Sequence, residues 1–331
     1  MSRVFIEGFE LRHLQNWEIG IQNFAQITSA ATSYGLTGSY YYSCAGLINI
    51  AKELTTANEY YVSARYYFTS PGYGYQIFSF TNDSSQQLGV VYADIATGTN
   101  HLRFVAGGNT YVGSMTLATG TPYRIECRHI PSSGSSGVAQ VKINGILDID
   151  KTATYTSSAS GPIKRVYFNG DNSKKLDDVV IDNSEWPGNT RIQNLLPDGA
   201  GTSTAWTPSA VANYDCVNDL STTITAVDAG YVYASSVVKL DAYAMSSLIS
   251  GSNPISEIKC IQVTARAKID GVCTANAMKL KVITSNATYE SSAFRIQEDA
   301  WAHYTYIKSD TANITVAKME NISIGLETTK V

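Results

Sequence analysis

Two adjacent acidic residues are the feature of this sequence most able to do chemistry. Asp177 and Asp178 lie in the segment KKLDDVVIDNSEWPGNTRI, and Asp182 and Glu185 follow closely. Neighbouring carboxylates can act as general acid and base or can hold a metal ion. In a β-strand, however, consecutive side chains point to opposite faces of the sheet. If the segment is a strand, the pair cannot converge on one substrate atom. We then expect one Asp to hydrogen-bond a neighbouring loop while the other meets solvent.

Calcium coordination is the alternative role for acidic residues in this chain. Calcium takes oxygen ligands from loop Asp and Asn side chains, and the candidates are Asp94, Asp171 with Asn172, and Asp178. Nothing in their spacing ties them together, and the sequence contains no EF-hand loop. We therefore expect no cofactor, with calcium as the one alternative.

The other residues of catalytic type are scattered along the chain. No Gly-x-Ser-x-Gly nucleophile motif occurs, and metal-ligand spacing is absent from the four histidines, His13, His101, His129 and His303. Cys127 and His129 could act as nucleophile and base only if they were in contact with each other. Reduced, mostly buried thiols are expected, since no Cys-x-x-Cys spacing links the five cysteines, Cys44, Cys127, Cys216, Cys260 and Cys273.

The charge balance excludes two classes of partner. The formal net charge is −4, only 16% of residues are charged, and Lys and Arg form no block. Electrostatic binding to nucleic acid or to an anionic membrane is therefore not expected. No apolar run reaches the length of a membrane span, so no membrane insertion is expected, and the opening MSRVFIEGFELRH lacks the apolar region of a secretory signal. These features favour synthesis and folding in a cytoplasm.

Strand patterns dominate the sequence. Between Gly137 and Asp150, Ala139, Val141 and Ile143 alternate with Gln140 and Lys142, and Asn144-Gly145 follows before the chain returns, which predicts a hairpin with a type I′ turn. From Ile261 to Ile269 the alternation is strict. Only AGLINIAKEL, at 45–54, suggests a helix, and its pattern is ambiguous. The chain is therefore predicted to be all-β.

Carbohydrate binding is a further hypothesis that the residues allow. The segment SPGYGYQ predicts a loop carrying Tyr73 and Tyr75, and Asn82 and Asp83 follow soon after. Aromatic rings can stack on the apolar faces of sugars, and Asn and Asp can bind the hydroxyl groups. The alternative is that these Tyr residues brace a loop or line a protein interface, where Tyr is also enriched.

The order of several segments resembles a known architecture. An opening EGFE, strands through ARYYF, the VKINGILDID hairpin and a KLDDVVIDN segment are similar to the concanavalin A-like lectin/glucanase (LamG-like) sandwich of tailed-bacteriophage virion structural proteins. The resemblance implies that Val4–Glu10 and Leu176–Asp182 are strands of one sheet. It also implies a concanavalin A-like jelly-roll sandwich at 1–184, an ordered connection at 185–210 and a second, smaller jelly-roll-like β-sandwich at 211–331.

The same resemblance carries a functional expectation. Hydrolases of this fold carry their acids as Glu-x-Asp-x-x-Glu on one strand, and this sequence lacks that motif. The resemblance therefore implies a non-enzymatic structural protein on the virion exterior, as a tail, baseplate or capsid-surface component. Its partners would be other virion proteins in a homo-oligomer, for example a trimer, after synthesis in the cytoplasm of a bacterial host. A module that binds host-surface glycans is the alternative, and a glycoside hydrolase is a weaker one.

Overall fold

The computed structural model describes residues 3–8, 27–29, 40–42, 48–95, 100–134, 136–155, 161–170, 173–218, 230–248, 255–271 and 273–331. The chain divides into two compact units, Met1–Gln193 and Asn194–Val331. Almost all regular structure in both is β-strand, as predicted. Within the described residues, no helix is long and apolar enough to cross a membrane.

The strands of the first unit form two antiparallel sheets. Sheet 1 has the order β12 (Ile146–Tyr155), β11 (Gly137–Ile143), β10 (Pro122–Ile130), β5 (Tyr60–Phe68), β14 (Lys174–Asp182), β3 (Tyr40–Tyr42) and β2 (Ile27–Ser29), with β1 (Arg3–Glu7) also paired to β14. Sheet 2 has the order β4 (Ile48–Ala57), β13 (Ile163–Gly170), β6 (Gly72–Thr81), β7 (Gln87–Ile95), β8 (Leu102–Ala106) and β9 (Asn109–Val112). Of the ambiguous segment at 45–54, residues 48–54 lie in the strand β4 and not in a helix, and residues 45–47 lie outside the described residues.

Two pairings predicted from the sequence are confirmed. Asn144 and Gly145 have φ angles of 51° and 87°, which a type I′ turn requires, and they join β11 to β12. Of the predicted opening strand Val4–Glu10, Val4–Glu7 lies in β1, which pairs with β14, since Phe5 lies opposite Ile181; Phe9 and Glu10 lie outside the described residues. The beginning and end of the first unit thus meet in one sheet.

The core of the first unit lies between the two sheets. Its inward rows are fully buried and include Val62, Ala64, Tyr66 and Phe68 from β5 and Phe78, Phe80, Phe104 and Phe168 from sheet 2. The rings of Phe78 and Phe168 meet edge to face at 5.5 Å. The Tyr66 hydroxyl donates to the carbonyl of Ile77 at 2.9 Å, so one polar contact also joins the sheets. Because burial of each such side chain contributes about 1.5–3 kcal/mol, these rows supply most of the driving force for folding.

The second unit is a smaller sandwich built on sheet 3. Sheet 3 has the order β15 (Pro197–Thr204), β18 (Leu240–Met245), β24 (Ser323–Thr329), β20 (Ala277–Ile283) and β21 (Thr288–Glu290), with β22 (Phe294–Arg295) also paired to β20. Two ribbons, β16 (Thr207–Pro208) with β17 (Val232–Tyr233) and β19 (Ile261–Ala267) with β23 (Ala302–Lys308), and the helix α1 (Val316–Met319) complete its described elements. The stretch 185–210, predicted as a connection, contains β15 and β16.

The core of the second unit lies between sheet 3 and the β19–β23 ribbon. Ile261 and Val263 of the ribbon pack with Met278, Leu280 and Val282 of β20. The strict alternation predicted for β19 is what turns these side chains inward while Gln262 and Thr264 face away. The predicted fold class, an all-β chain with a jelly-roll type sandwich and a smaller one after it, is confirmed.

Gly201 in β15 has no room for a side chain. A Cβ atom there would lie 2.6 Å from the carbonyl carbon of Ala242 on β18, whereas at Gly199 the nearest contact would be 3.6 Å, to the Cβ atom of Ala244. We expect Gly201→Ala to lower the free energy of unfolding by about 1–3 kcal/mol, because the paired backbone must shift. The matched variant Gly199→Ala should change it by less than about 0.5 kcal/mol. Denaturant titrations of both variants check this, and equal losses would contradict it.

Candidate functional site

A row of polar side chains crosses the outer face of sheet 2. Gln76 on β6 lies opposite Tyr92 on β7, and Tyr92 lies opposite Arg103 on β8. All three are partly exposed, whereas the residues on either side of Tyr92, Val91 and Ala93, are buried in the core. Directly opposed side chains have Cβ atoms about 4.5–5.5 Å apart. Gln76, Tyr92 and Arg103, here called the polar row, therefore form a continuous surface.

An ion pair fixes one end of the polar row. Arg103 donates through Nε to Oδ2 of Asp94 and through Nη2 to Oδ1 at 3.1 Å, and its guanidinium carbon lies 5.2 Å from the Tyr92 ring centroid. The backbone N–H of Gly74 donates to the same Oδ1 at 2.7 Å. Burial alone would raise the pKa of Asp94, but the hydrogen bonds from Arg103 and Gly74 outweigh it and lower that pKa. Asp94 is therefore ionised at neutral pH and already held by two donors.

The two candidate tyrosines lie in a strand and not in the predicted loop. Both belong to the first half of β6, where a register shift between Gly72 and Tyr75 leaves Tyr73 and Gly74 outside the regular pairing. Tyr73 is 65% exposed and precedes Gly74, which bonds Asp94 at the polar row. Tyr75 instead packs inward, with its ring stacked 6.3 Å from that of Phe68. Of the two rings, that of Tyr73 is therefore the more accessible to a ligand, and Tyr75 is half-buried.

Asn82 and Asp83 lie beyond the opposite end of β6. At about 3.3 Å per residue, roughly 30 Å of strand separates them from Tyr73. The Asn82 side chain accepts from the backbone N–H of Gln86 and donates to the Gln86 side chain, both at 2.9 Å, which fixes the turn between β6 and β7. Asp83 is exposed in that turn. The structure therefore does not bring the four carbohydrate-binding candidates together.

The acidic pair lies at a β-bulge in β14. Along β5, Arg65 pairs with Asp177 and Ser63 pairs with Val180, so the register shifts between them. Asp178 is the extra residue, and its φ of 47° is a left-handed conformation that Asp tolerates. The alternation assumed from the sequence is broken there, and both acids share the face of Arg65. The prediction that Asp177 and Asp178 point to opposite faces is therefore wrong.

Both acids are buried, so the prediction that one of them meets solvent is wrong. Asp177 is 0% and Asp178 3% exposed. Asp177 accepts from the backbone N–H of Asp178 at 2.8 Å. Asp178 accepts from Nε of Arg65 at 2.8 Å and from the backbone N–H of Ile192 at 3.0 Å. The expected hydrogen bond between one Asp and a neighbouring segment is confirmed, because Asp178 accepts it from the backbone N–H of Ile192.

Residues 183–192, here called the strap, cover part of the outer face of sheet 1. Asn189 accepts from Arg124 at 2.7 Å, and the backbone N–H of Gly188 donates to Glu126 at 2.9 Å. The Trp186 ring packs against Tyr61 at 5.4 Å and lies under the Lys142 ammonium at 3.9 Å. Together with the bond from the Ile192 N–H to Asp178, these contacts anchor the strap on sheet 1.

The remaining candidates do not assemble into a site. Asp171, Asn172 and His13 lie outside the described residues, and within those residues no group of three or more His, Cys, Asp or Glu side chains could hold a metal ion. Cys127 and His129 are both fully buried in the core of the first unit, where no substrate reaches them. Burial raises the pKa of the Cys127 thiol, which keeps it protonated and unreactive.

Sequence reasoning missed the polar row. The signal was present in part, since Tyr92 and Asp94 alternate with Val91 and Ala93, and Arg103 lies between the apolar Leu102 and Phe104. Alternation shows that these side chains leave the core. It does not show which strands are neighbours or in what register, and both are needed to place Gln76, Tyr92 and Arg103 side by side.

Comparison with known proteins gives a fold likeness only. No family model and no curated protein matches the chain. Among solved structures, the chain is similar to an endo-β-1,4-glucuronan lyase from the fungus Trichoderma reesei (11% identity, 55% of this chain and 96% of that chain, TM-score 0.41). It is also similar to an alginate lyase, Aly36B (16% identity, 56% of this chain and 99% of that chain, TM-score 0.34). A third match is domain 4 of a GH43 arabinanase from Geobacillus stearothermophilus (14% identity, 55% of this chain and 92% of that chain, TM-score 0.39).

These matches correct the functional expectation drawn from the sequence. The predicted non-enzymatic structural protein of a phage exterior is contradicted by these matches: they are glycan-processing enzymes and a domain solved with a bound oligosaccharide, and none of the three is a phage structural protein. The prediction that the chain is not an enzyme is contradicted by the lyases among them. The sandwich part of the resemblance stands, and nothing in the matches shows a phage origin. At such low identity the likeness concerns the fold alone, so a function must be argued from the site.

The hydrogen bonds of Asp178, which anchor the strap, predict a loss of stability when its charge is removed. Asp178→Asn keeps an oxygen for the Ile192 N–H and tolerates the left-handed backbone, but it removes the charge that faces Arg65. We expect the free energy of unfolding to fall by about 1–3 kcal/mol. Asp150→Asn, at an exposed carboxylate of sheet 1, should change it by less than about 0.5 kcal/mol. Urea titrations of the two variants make the comparison, and similar effects would rule out a special role for Asp178.

The buried His129 predicts a pH dependence of stability. Burial lowers its pKa to about 4, although the hydrogen bond with the Val138 carbonyl opposes this, whereas an unfolded His has a pKa of about 6.5. Between these values the unfolded state binds more protons, so stability is lost as the pH falls from about 6.5 to 4, by up to about 3 kcal/mol. His129→Asn should remove this component. Urea titrations across that range should show a flatter pH profile for the variant, and parallel profiles would contradict the assignment.

Proposed function

We propose that the first unit binds polysaccharide chains on the outer face of sheet 2. The observation that carries the proposal is the polar row of Gln76, Tyr92 and Arg103, with the exposed Tyr73 beside its Asp94 anchor. The outer face of sheet 1 is less suitable, because the strap already occupies part of it.

The chemistry of the polar row suits sugar hydroxyl groups. Gln76 offers both a donor and an acceptor, Arg103 offers a planar set of donors, and Tyr92 offers a hydroxyl and an apolar ring. A hydroxyl group both donates and accepts, so it can satisfy any of these partners. The exposed ring of Tyr73 supplies an apolar face of the kind on which a sugar ring stacks. Side chains carried on hydrogen-bonded strands also need little reordering when a ligand binds.

The charge of this face favours hydroxyl recognition over the capture of anions. Arg103 is paired with Asp94, and farther along the same face Arg165 lies 3.5 Å from the carboxylate of Glu53. Arg103 of the polar row is therefore compensated by its own anion, whereas the Glu53 carboxylate is shared between Arg165 and Lys164, whose Nζ lies 3.1 Å from it. We expect neutral polysaccharides to bind at least as well as acidic ones.

Glycan-array screening followed by titration with the best-bound glycan tests the proposal. Gln76→Ala should weaken binding about tenfold, because a hydrogen bond is lost while its sugar partner is desolvated. Gln140→Ala, on the outer face of sheet 1, is the matched control and should leave affinity unchanged. Tyr73→Ala should weaken binding without changing the melting temperature, whereas Tyr75→Ala should lower the melting temperature because it removes the contact with Phe68.

Two results would overturn this function. The first is that no glycan binds the wild-type protein, and the second is that Gln76→Ala and Gln140→Ala have equal effects. Release of reducing ends from the bound polysaccharide, measured on the same samples, distinguishes binding alone from binding with cleavage.

A further inference from the structure

The second unit contains a depression of its own. Its volume is about 480 Å³, and it is lined by Arg295, Ile296, Gln297, Glu298, Ala302 and Tyr304. It lies between the segment that follows β22 and the beginning of β23. Sites for small ligands typically measure about 300–1,000 Å³. The depression falls within this range of volumes, but it is largely open to solvent, so a ligand would lie on its surface and would not be enclosed.

The floor of this depression is fixed by contacts within the unit. The backbone N–H of Gln297 donates to the Tyr304 hydroxyl at 2.7 Å, and the backbone N–H of Ile269 donates to the Gln297 carbonyl at 2.9 Å. The Tyr304 ring lies 5.8 Å from that of Phe294. Ile296 is 8% exposed. The apolar floor of Ile296, Ala302 and Tyr304 is thus formed before any ligand binds.

The rim of the depression is polar and exposed, whereas its floor is apolar. Arg295, Gln297 and Glu298 are exposed. Among the ion pairs of the described residues, none includes Arg295 or Glu298. The rim therefore offers a cationic donor, an anionic acceptor and an amide that does both, around an apolar floor.

We propose that this depression is a binding site for a neutral sugar residue. An anionic ligand would face Glu298, a cationic one would face Arg295, and a purely apolar one would desolvate both without giving either a hydrogen bond. A pyranose ring meets all three requirements, because its C–H face can lie on Tyr304 and Ile296 while its hydroxyl groups accept from Arg295 and donate to Glu298. The site belongs to the second unit and does not depend on the polar row of the first.

Titrations of the full chain with cellohexaose, xylohexaose and mannohexaose test this site. In a Gln76→Ala background, which weakens the first unit, we expect binding of at least one of these probes to remain. Adding Arg295→Ala or Glu298→Gln should weaken that remaining binding about tenfold, since each removes a charge-assisted hydrogen bond. Glu320→Gln, at another exposed acid of the second unit, is the matched control and should change nothing. Equal melting temperatures would show that the exposed substitutions leave the fold intact.

The outcomes separate the two sites. If Gln76→Ala removes all binding of the three probes, or if Arg295→Ala and Glu298→Gln have no more effect than Glu320→Gln, the sugar site of the second unit is overturned and the proposed function of the first can stand. If only Arg295→Ala and Glu298→Gln weaken binding and Gln76→Ala does not, the second site is supported and the polar row fails. Absence of binding to all three probes overturns the second site.

Discussion

Strand β14 imposes the constraint on which the first unit depends. All nine of its residues are buried, although five of them, Lys174, Lys175, Asp177, Asp178 and Asp182, carry charge. A buried charge is costly unless it is paired or hydrogen-bonded. The fold must therefore deliver partners to this strand from other parts of the chain, and the positions of those parts are fixed as a result.

Partners of β14 come from three separate regions. Arg3 of the opening strand lies 3.2 Å from Asp182, Arg65 of β5 bonds Asp178, and Lys174 reaches across the core to the Gln76 carbonyl at 3.2 Å. The last contact ties the strand to the polar row, because Gln76 is one of its members. The bond that satisfies the buried Lys174 in sheet 1 thus also holds the backbone of β6 at Gln76, which is part of the candidate sugar site of sheet 2.

The sequence predicts the parts of this fold that local pattern determines. The β11–β12 hairpin follows from Asn144-Gly145 and its flanking alternation, and β19 follows from its strict period of two. Local pattern fails at Asp178, because a bulge inserts one residue without any signal in side-chain type. It fails again at Tyr73 and Tyr75, because Gly and Pro next to them suggest a loop where the chain instead begins a strand with an irregular register. In both cases the deciding information is the partner strand.

The two outer faces differ in how visible their polar residues are in the sequence. On sheet 1 the charged residues are conspicuous in the sequence, yet they are engaged by one another and by the strap, as Glu126 is by Gly188. On sheet 2 the polar row draws one residue from each of three strands, and only one of them, Arg103, is charged. A cluster of charge in sequence indicates where a chain must compensate buried ions. A ligand face on a sheet is assembled across strands, so its residues are far apart in sequence and become visible only once the register is known.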